Sequence, residues 1–257
     1  MITTLKSVAR KSNFLVDLYY DARFVKAAIS DLPQIQKIAL LFKVKPYTMV
    51  SYERLSNAYE LSKEMEEKQV EGAFVECGVW KGGAIGVMAH AAKERGSERQ
   101  IWLLDSFEGL PEPTVEDGKD AARYASQKTS GNLRSIGKCV GPLEDVRRLF
   151  SSVLRIPEAQ VRLGRGWFQE TIPQIKKEIG KIAILRIDAD WYESTKYVLD
   201  QLYDQIVPGG YVIIDDYGAW DGCKRAVEEF LRKRDITPQL KSIDDTGVYF
   251  QKEQSIL

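Results

Sequence analysis

From residue 73 onward the chain alternates two hydrophobic rhythms. Short apolar runs rich in β-branched residues occupy Ala73–Cys77, Ile101–Asp105, Val161–Leu163, Ile182–Ile187 and Tyr211–Ile214 and read as strands. Apolar residues recur instead at helical spacing over Gly83–Arg95, Pro142–Phe150, Glu193–Ile206 and Cys223–Lys233. The strand at Val161 is followed directly by the one at Ile182. Gln239–Ile243 and Thr246–Gln251 predict a closing antiparallel hairpin. Such βα alternation, ended by a hairpin, implies an α/β fold: a doubly wound, mostly parallel seven-stranded sheet with one reversed strand near its edge.

The first 70 residues show no strand alternation. Phe14–Tyr20, Ile35–Phe42 and Leu55–Leu61 repeat apolar residues at helical spacing, interrupted near Pro33 and Pro46. Residues 1–70 are therefore expected to form a helical extension and 71–257 the α/β domain. Within that domain a Pro-, Gly- and charge-rich stretch from about 110 to 138 reads as a long loop with room for one helix. Loops of that length tend to be lids or binding loops.

Composition narrows the chemistry. The 37 basic and 37 acidic side chains balance, which leaves no electrostatic footprint for nucleic acid. Cys77, Cys139 and Cys223 are odd in number and widely spaced, which suits a reducing compartment rather than a disulfide framework. No apolar run approaches the length of a membrane span, and the polar start lacks a signal-peptide core, so the expectation is a soluble, cytoplasmic protein with no membrane partner. His90 is the single histidine and lies within a helical pattern, which removes His-based zinc sites and Ser-His-Asp triads from consideration. General-base duty then falls to Asp, Glu, Lys or Tyr.

The acids at strand ends carry the chemistry. In a doubly wound sheet, ligands bind beyond the carboxyl ends of the strands. Asp188 ends one buried run and Asp215-Asp216 another. Carboxylates set close together repel unless a proton or cation lies between them, and a hard divalent ion such as Mg²⁺ is the simplest resolution. Asp190 stands three residues before Glu193 at a helix start, so it reads either as a capping-box residue or as a free base. Glu76-Cys77-Gly78-Val79-Trp80 joins the first strand to its helix through glycines but lacks the G-x-G-x-x-G dinucleotide pattern. An acid there repels a pyrophosphate and attracts an ammonium or sulfonium group. Asp105 at the next strand end suits a ribose diol, and the set together points to S-adenosylmethionine. Glu76 as a simple helix cap is the structural alternative. Trp167 reads either as an adenine-stacking face or as core packing.

Several long motifs, in order, make the chain similar to one family. Phe74–Gly83, Leu104–Pro111, Gly164–Pro173, Leu185–Thr195, Val207–Tyr217 and Gly222–Phe230 resemble the macrocin-type sugar O-methyltransferases that act on glycosylated antibiotics. The resemblance spans about residues 46–250. It implies a Rossmann-like methyltransferase sheet and metal ligands at Asp188, Asp215 and Asp216. It also implies cofactor contacts at Thr48, Met49, Glu76, Cys77, Gly78, Val79, Trp80, Asp105, Ser106, Phe107, Gly166 and Trp167, with Asp188 beside them. On that reading a divalent cation binds the acceptor and acidifies its hydroxyl, and Asp190 or Asp188 takes the proton. The acceptor is a small glycosylated molecule. The alternatives are a catechol-type O-methyltransferase acting on an aromatic diol, or a non-catalytic nucleotide-binding scaffold. The N-terminal helices hold more apolar residues than one sheet edge needs, which predicts a homodimer or higher homo-oligomer.

Overall fold

The computed structural model describes residues 13–253. The N-terminal part forms three helices, α1 (Asn13–Ile29), α2 (Ile35–Val44) and α3 (Tyr52–Glu67). Ser51 starts α3 as a side-chain cap, its hydroxyl accepting from the Arg54 amide at 3.2 Å. Strands and helices then alternate: β1 (Ala73–Cys77), α4 (Gly83–Glu94) and β2 (Ile101–Asp105). The lid region carries α5 (Gly118–Tyr124), and α6 (Leu143–Arg148) leads to β3 (Val161–Arg165). The order continues α7 (Phe168–Ile179), β4 (Ile182–Ile187), α8 (Tyr192–Leu202), β5 (Ile206–Ile214) and α9 (Asp221–Lys233). It closes with the hairpin β6 (Lys241–Ser242) and β7 (Val248–Gln251).

The seven strands run β3-β2-β1-β4-β5-β7-β6, parallel except for β7, which runs antiparallel to both β5 and β6. The strand order reverses between β1 and β4, the switch point at which open sheets bind ligands. Because side chains alternate across a strand, the sheet has two packed faces. Phe74, Leu103, Ile184 and Ile213 meet α1–α4 on one face; Val75, Leu104, Leu185 and Val212 meet α7–α9 on the other. Helices of the N-terminal extension thus share one core with the sheet. Outside that core, Leu18, Tyr19, Val25, Ile29 and Ile35 are exposed, in the helices whose apolar surplus predicts self-association. Among the described residues, no helix is long and apolar enough to cross a membrane.

Two elements depart from the sequence reading. Helix α7 fills the stretch between β3 and β4 that the pattern left empty, and it carries Pro173 in its interior. A proline there removes one donor and frees the carbonyl four residues back. That carbonyl, of Gln169, accepts instead from the Tyr197 hydroxyl of α8 at 3.4 Å. Strand β5 begins at Ile206 rather than Tyr211, through Pro208, Gly209 and Gly210. Its register with β4 shifts there, Ile182 facing Ile206 while Ile184 faces Tyr211, so the extra residues bulge out of the ladder.

The 110–138 segment is fastened near its start. Asp117 accepts the Tyr192 amide that opens α8 at 2.5 Å, and the Trp191 indole N–H donates to the Pro111 carbonyl at 2.9 Å. A Cβ at Gly222 would lie 1.9 Å from Asp117 Oδ1, so only glycine lets α9 approach that carboxylate.

Candidate active site

The acid cluster follows from strand parity. Glu76 on β1 faces Arg186 on β4 across the ladder, and Ile213 of β5 flanks Arg186 on its other side. Residues two apart share a face, so Asp188 and Asp215, just past the strand ends, join Glu76 and Arg186 beneath α3. Arg186 is 1% exposed. Its guanidinium donates to Glu76 and Asp215, and to Asp188 Oδ2 at 2.9 Å. From the first turn of α3, Arg54 donates to the other Asp215 oxygen and to Thr246, and through Nε to Asp244 Oδ2 at 2.8 Å. Both Asp215 oxygens are thus paired, each with a different arginine.

Asp188, Asp215 and Asp216 each offer an oxygen within 4.8 Å of the others. Asp216 makes no ion pair among the described residues; its side chain accepts only the Asp190 amide, at 3.2 Å. Burial, then the carboxylates of Asp190 and Asp188, push the Asp216 carboxyl well above its ordinary range. Burial raises Asp215 to about 6 against the pull of Arg186 and Arg54. Burial pushes Glu76 up as well, and the Arg186 guanidinium beside it pulls it back toward the charged form. Asp188, Asp190, Asp215 and Asp216 thus gather around two guanidiniums, Arg186 and Arg54, a setting in which a cation would find oxygen ligands.

Asp190 does not cap its helix. Trp191 is the N-cap of α8 and makes no side-chain capping bond; the first-turn amide of Tyr192 is met by Asp117 of the lid root instead. Asp190 itself adopts φ +54°, a left-handed backbone that takes it out of the helix and that Asp enters more readily than most side chains. Its Oδ1 accepts the Trp220 indole N–H at 3.0 Å, and its Oδ2 has no protein partner among the described residues. Burial, then Asp188, push its carboxyl up to about 8.

Across the switch point the β1–β3 ends build a second wall. Gly78 turns at φ +90°, and a Cβ there would lie 1.6 Å from the Asp188 carbonyl oxygen, so the turn after β1 rests directly on the end of β4. Asp105 Oδ2 accepts from the amides of Val79 at 2.7 Å and Trp80 at 2.9 Å, and its Oδ1 from Phe107 at 2.7 Å. Four lone-pair sites serve three bonds, so Asp105 orders the turn and keeps acceptor capacity. Burial nonetheless raises its carboxyl above the usual range.

One cavity joins the two walls. Met49, Gly78, Trp80, Asp105, Ser106, Gly166 and Trp167 line it together with Asp188, Asp190, Asp215 and Asp216. Trp167 stands at this wall half-buried, outside either core. The remaining cofactor candidates lie away from the wall. Glu76 is beneath the floor, its carboxylate engaged by Arg186 and by the Ile85 amide of α4 at 3.1 Å, the capping contact that was its structural alternative. Cys77 is sealed in the core under α7–α9, Val79 packs in the opposite core with Phe107 against it, and Thr48 lines a neighbouring groove. Arg54, Arg186 and Trp220 complete the site; only Arg186 lies within one of the family motifs, Leu185–Thr195, and the sequence reading singles out none of them. The single sequence sign of Arg186 is a charge inside an otherwise apolar strand.

Comparison with known proteins places this geometry. The sequence pattern of the macrocin O-methyltransferase family (TylF) matches residues 34–252. Demethyldecarbamoylnovobiocin O-methyltransferase of Streptomyces niveus is 37% identical over 207 residues, covering 80% of this chain and 76% of that protein. Mycinamicin III 3''-O-methyltransferase of Micromonospora griseorubida is 32% identical over 249 residues, covering 94% of this chain and 92% of that protein. The solved structure of the O-methyltransferase NovP superposes with a TM-score of 0.70 at 36% identity, over 81% of this chain and 83% of that one.

Proposed function

This chain belongs to the macrocin O-methyltransferase family, and from that premise we propose its reaction in full. As an S-adenosylmethionine-dependent O-methyltransferase it methylates a sugar hydroxyl of a small glycosylated molecule, with Mg²⁺ or a similar divalent cation at the acids. The methyl donor takes the β1–β3 wall, where Asp105 retains acceptor capacity for a ribose and Trp167 offers an aromatic face. Asp188, Asp215 and Asp216 would hold the cation. The fit rests on their spacing and on Asp216, an acid with no cationic partner among the described residues. When bound, such an ion supplies Lewis acidity to a nearby hydroxyl.

The chain's own residues do the rest. Arg186 and Arg54 hold Asp215 from both sides, which fixes the cluster before any ligand arrives. The acceptor oxygen attacks the methyl carbon in line with the departing sulfur and loses its proton as the C–O bond forms. Asp190 receives that proton. Asp190 and Asp188 each have one oxygen held, by Trp220 and Arg186; Asp188 is assigned to the cation, which leaves Asp190 for the proton.

The observation that carries this reading is one cavity bounded by the Asp105–Gly78 turn on one side and the four acids on the other. The test incubates the protein with S-adenosylmethionine, Mg²⁺ and two acceptor probes, demethyldecarbamoylnovobiocin and mycinamicin III, and scores the gain of one methylene by mass. Methylation lost in EDTA and restored by Mg²⁺ is expected; full activity in EDTA overturns the cation. Asp190→Asn is expected to slow transfer by about 10²–10⁴ with Mg²⁺ affinity kept, and a near-normal rate removes Asp190 as the base.

A further inference from the structure

Trp220 precedes α9 and meets Asp190, the proposed base. Its indole N–H donates to Asp190 Oδ1 at 3.0 Å, and its ring lies 4.9 Å from Trp191 and 5.6 Å from Tyr124, centroid to centroid. Tyr124 ends the lid helix α5, and Trp191 in turn donates to the Pro111 carbonyl at the root of the lid. Tyr124 and Trp191 also meet edge to face at 6.4 Å. Three aromatic rings from three elements therefore pack on one another, one of them bonded to the Asp190 carboxylate and the other two joined to the 110–138 segment.

Packing alone does not require an indole here. Phenylalanine would fill the stack, and Trp102, elsewhere in the core, keeps a buried indole N–H with no partner in the described structure. At Trp220 the N–H instead engages the one Asp190 oxygen that the protein contacts. Asp190 needs such a hold, because its left-handed backbone lies outside the helix and its side chain takes no part in capping α8. A carboxylate with one oxygen pinned presents the other in a fixed direction, which is what proton removal during an in-line displacement requires.

We propose that Trp220 is a positioning residue for methyl transfer: its indole N–H orients the Asp190 carboxylate, and its stack with Trp191 and Tyr124 ties that orientation to the seating of the lid. The inference rests on the reading of Asp190 as base, and the two are separable by experiment. In full-length protein with ¹⁵N-indole tryptophan, the Trp220 resonance, assigned by its loss in Trp220→Phe, is expected to shift in Asp190→Asn. It is also expected to shift when Tyr124→Leu removes the lid's ring. A Trp220 signal indifferent to both changes overturns the proposal, whatever the acceptor. In the methylation assay with the two acceptor probes, Trp220→Phe is expected to lower kcat roughly tenfold or more, the scale of one hydrogen bond to a charged group. KM for S-adenosylmethionine should stay near that of the parent, and Trp220→His, which keeps an N–H donor, should recover part of the rate. Adding Trp220→Phe to Asp190→Asn should cost nothing further. An unchanged kcat in Trp220→Phe beside a disabled Asp190→Asn refutes the positioning role alone. A normal rate in Asp190→Asn with the resonance shifted refutes the base and leaves the indole contact standing.

Discussion

Replacing Arg186 with methionine isolates the buried ionic floor of the site. The side chain is 1% exposed and pairs with Glu76, Asp188 and Asp215. The three acids do not suffer equally when it goes. Asp215 keeps Arg54, and the Asp188 side chain is 26% exposed, so water reaches it. Glu76 is left sealed with only the Ile85 amide. Removing one partner of a buried pair costs about 3–5 kcal/mol because the other charge stays uncompensated. With one acid stranded rather than three, Arg186→Met should fall in that range and not at a multiple of it. At about 2–4 °C per kcal/mol for a chain of this size, the melting temperature should drop by roughly 6–20 °C. Glu76→Gln in the same protein keeps an acceptor for Ile85 and removes the stranded charge, so the double variant should regain at least half of the loss. Thermal melts by circular dichroism, with urea titrations for the free energies, measure both. A loss under about 1 kcal/mol for Arg186→Met, or a double variant no more stable than the single one, would refute the assignment of Glu76 as the residue that needs Arg186.

Two further outcomes follow from the geometry. Gly78→Ala combines a φ of +90° with a Cβ 1.6 Å from the Asp188 carbonyl oxygen, so it should separate the β1 turn from the end of β4. S-adenosylhomocysteine binding by calorimetry should fall more than tenfold, and unchanged affinity would show that the contact is not needed. Asp244 is held at about 2: burial raises its carboxyl, but hydrogen bonds from Arg54, Gly247 and Thr246 lower it further. Its folded value lies below the unfolded one, so its contribution is present above about pH 4 and is lost as pH falls toward 2. The stability curve over that window should be flatter in Asp244→Asn, and parallel curves would count against the Arg54 pair.

What the sequence disclosed, and what it withheld, divides by the range of the interactions involved. The strands at Ala73, Ile101 and Ile182 were legible because they lie in a sheet buried on both faces, which demands continuous apolar runs. The acids were legible because charges are rare in such runs, so Asp105, Asp188 and Asp215 stand out where the strands end, although Glu76 and Arg186 show that a paired charge can sit inside one. Helix α7 and the start of β5 were not, since Pro173 and Pro208-Gly209-Gly210 are local breakers whose cost is met from afar, by Tyr197 for the first and by a bulge against β4 for the second. The same distinction runs through the site. Glu193 three residues after Asp190 suggested a cap, yet the cap comes from Asp117, and Asp190 is left for Trp220. That exchange of partners is invisible along the chain, because each local pairing is satisfiable on its own. With Asp117 meeting the first amide of α8, Asp190, the residue before Trp191, is free of that duty. Its backbone can then turn left-handed and aim a carboxylate over the switch point. The 110–138 segment thus reaches the surroundings of Asp190, the proposed base, through Asp117 at the start of α8.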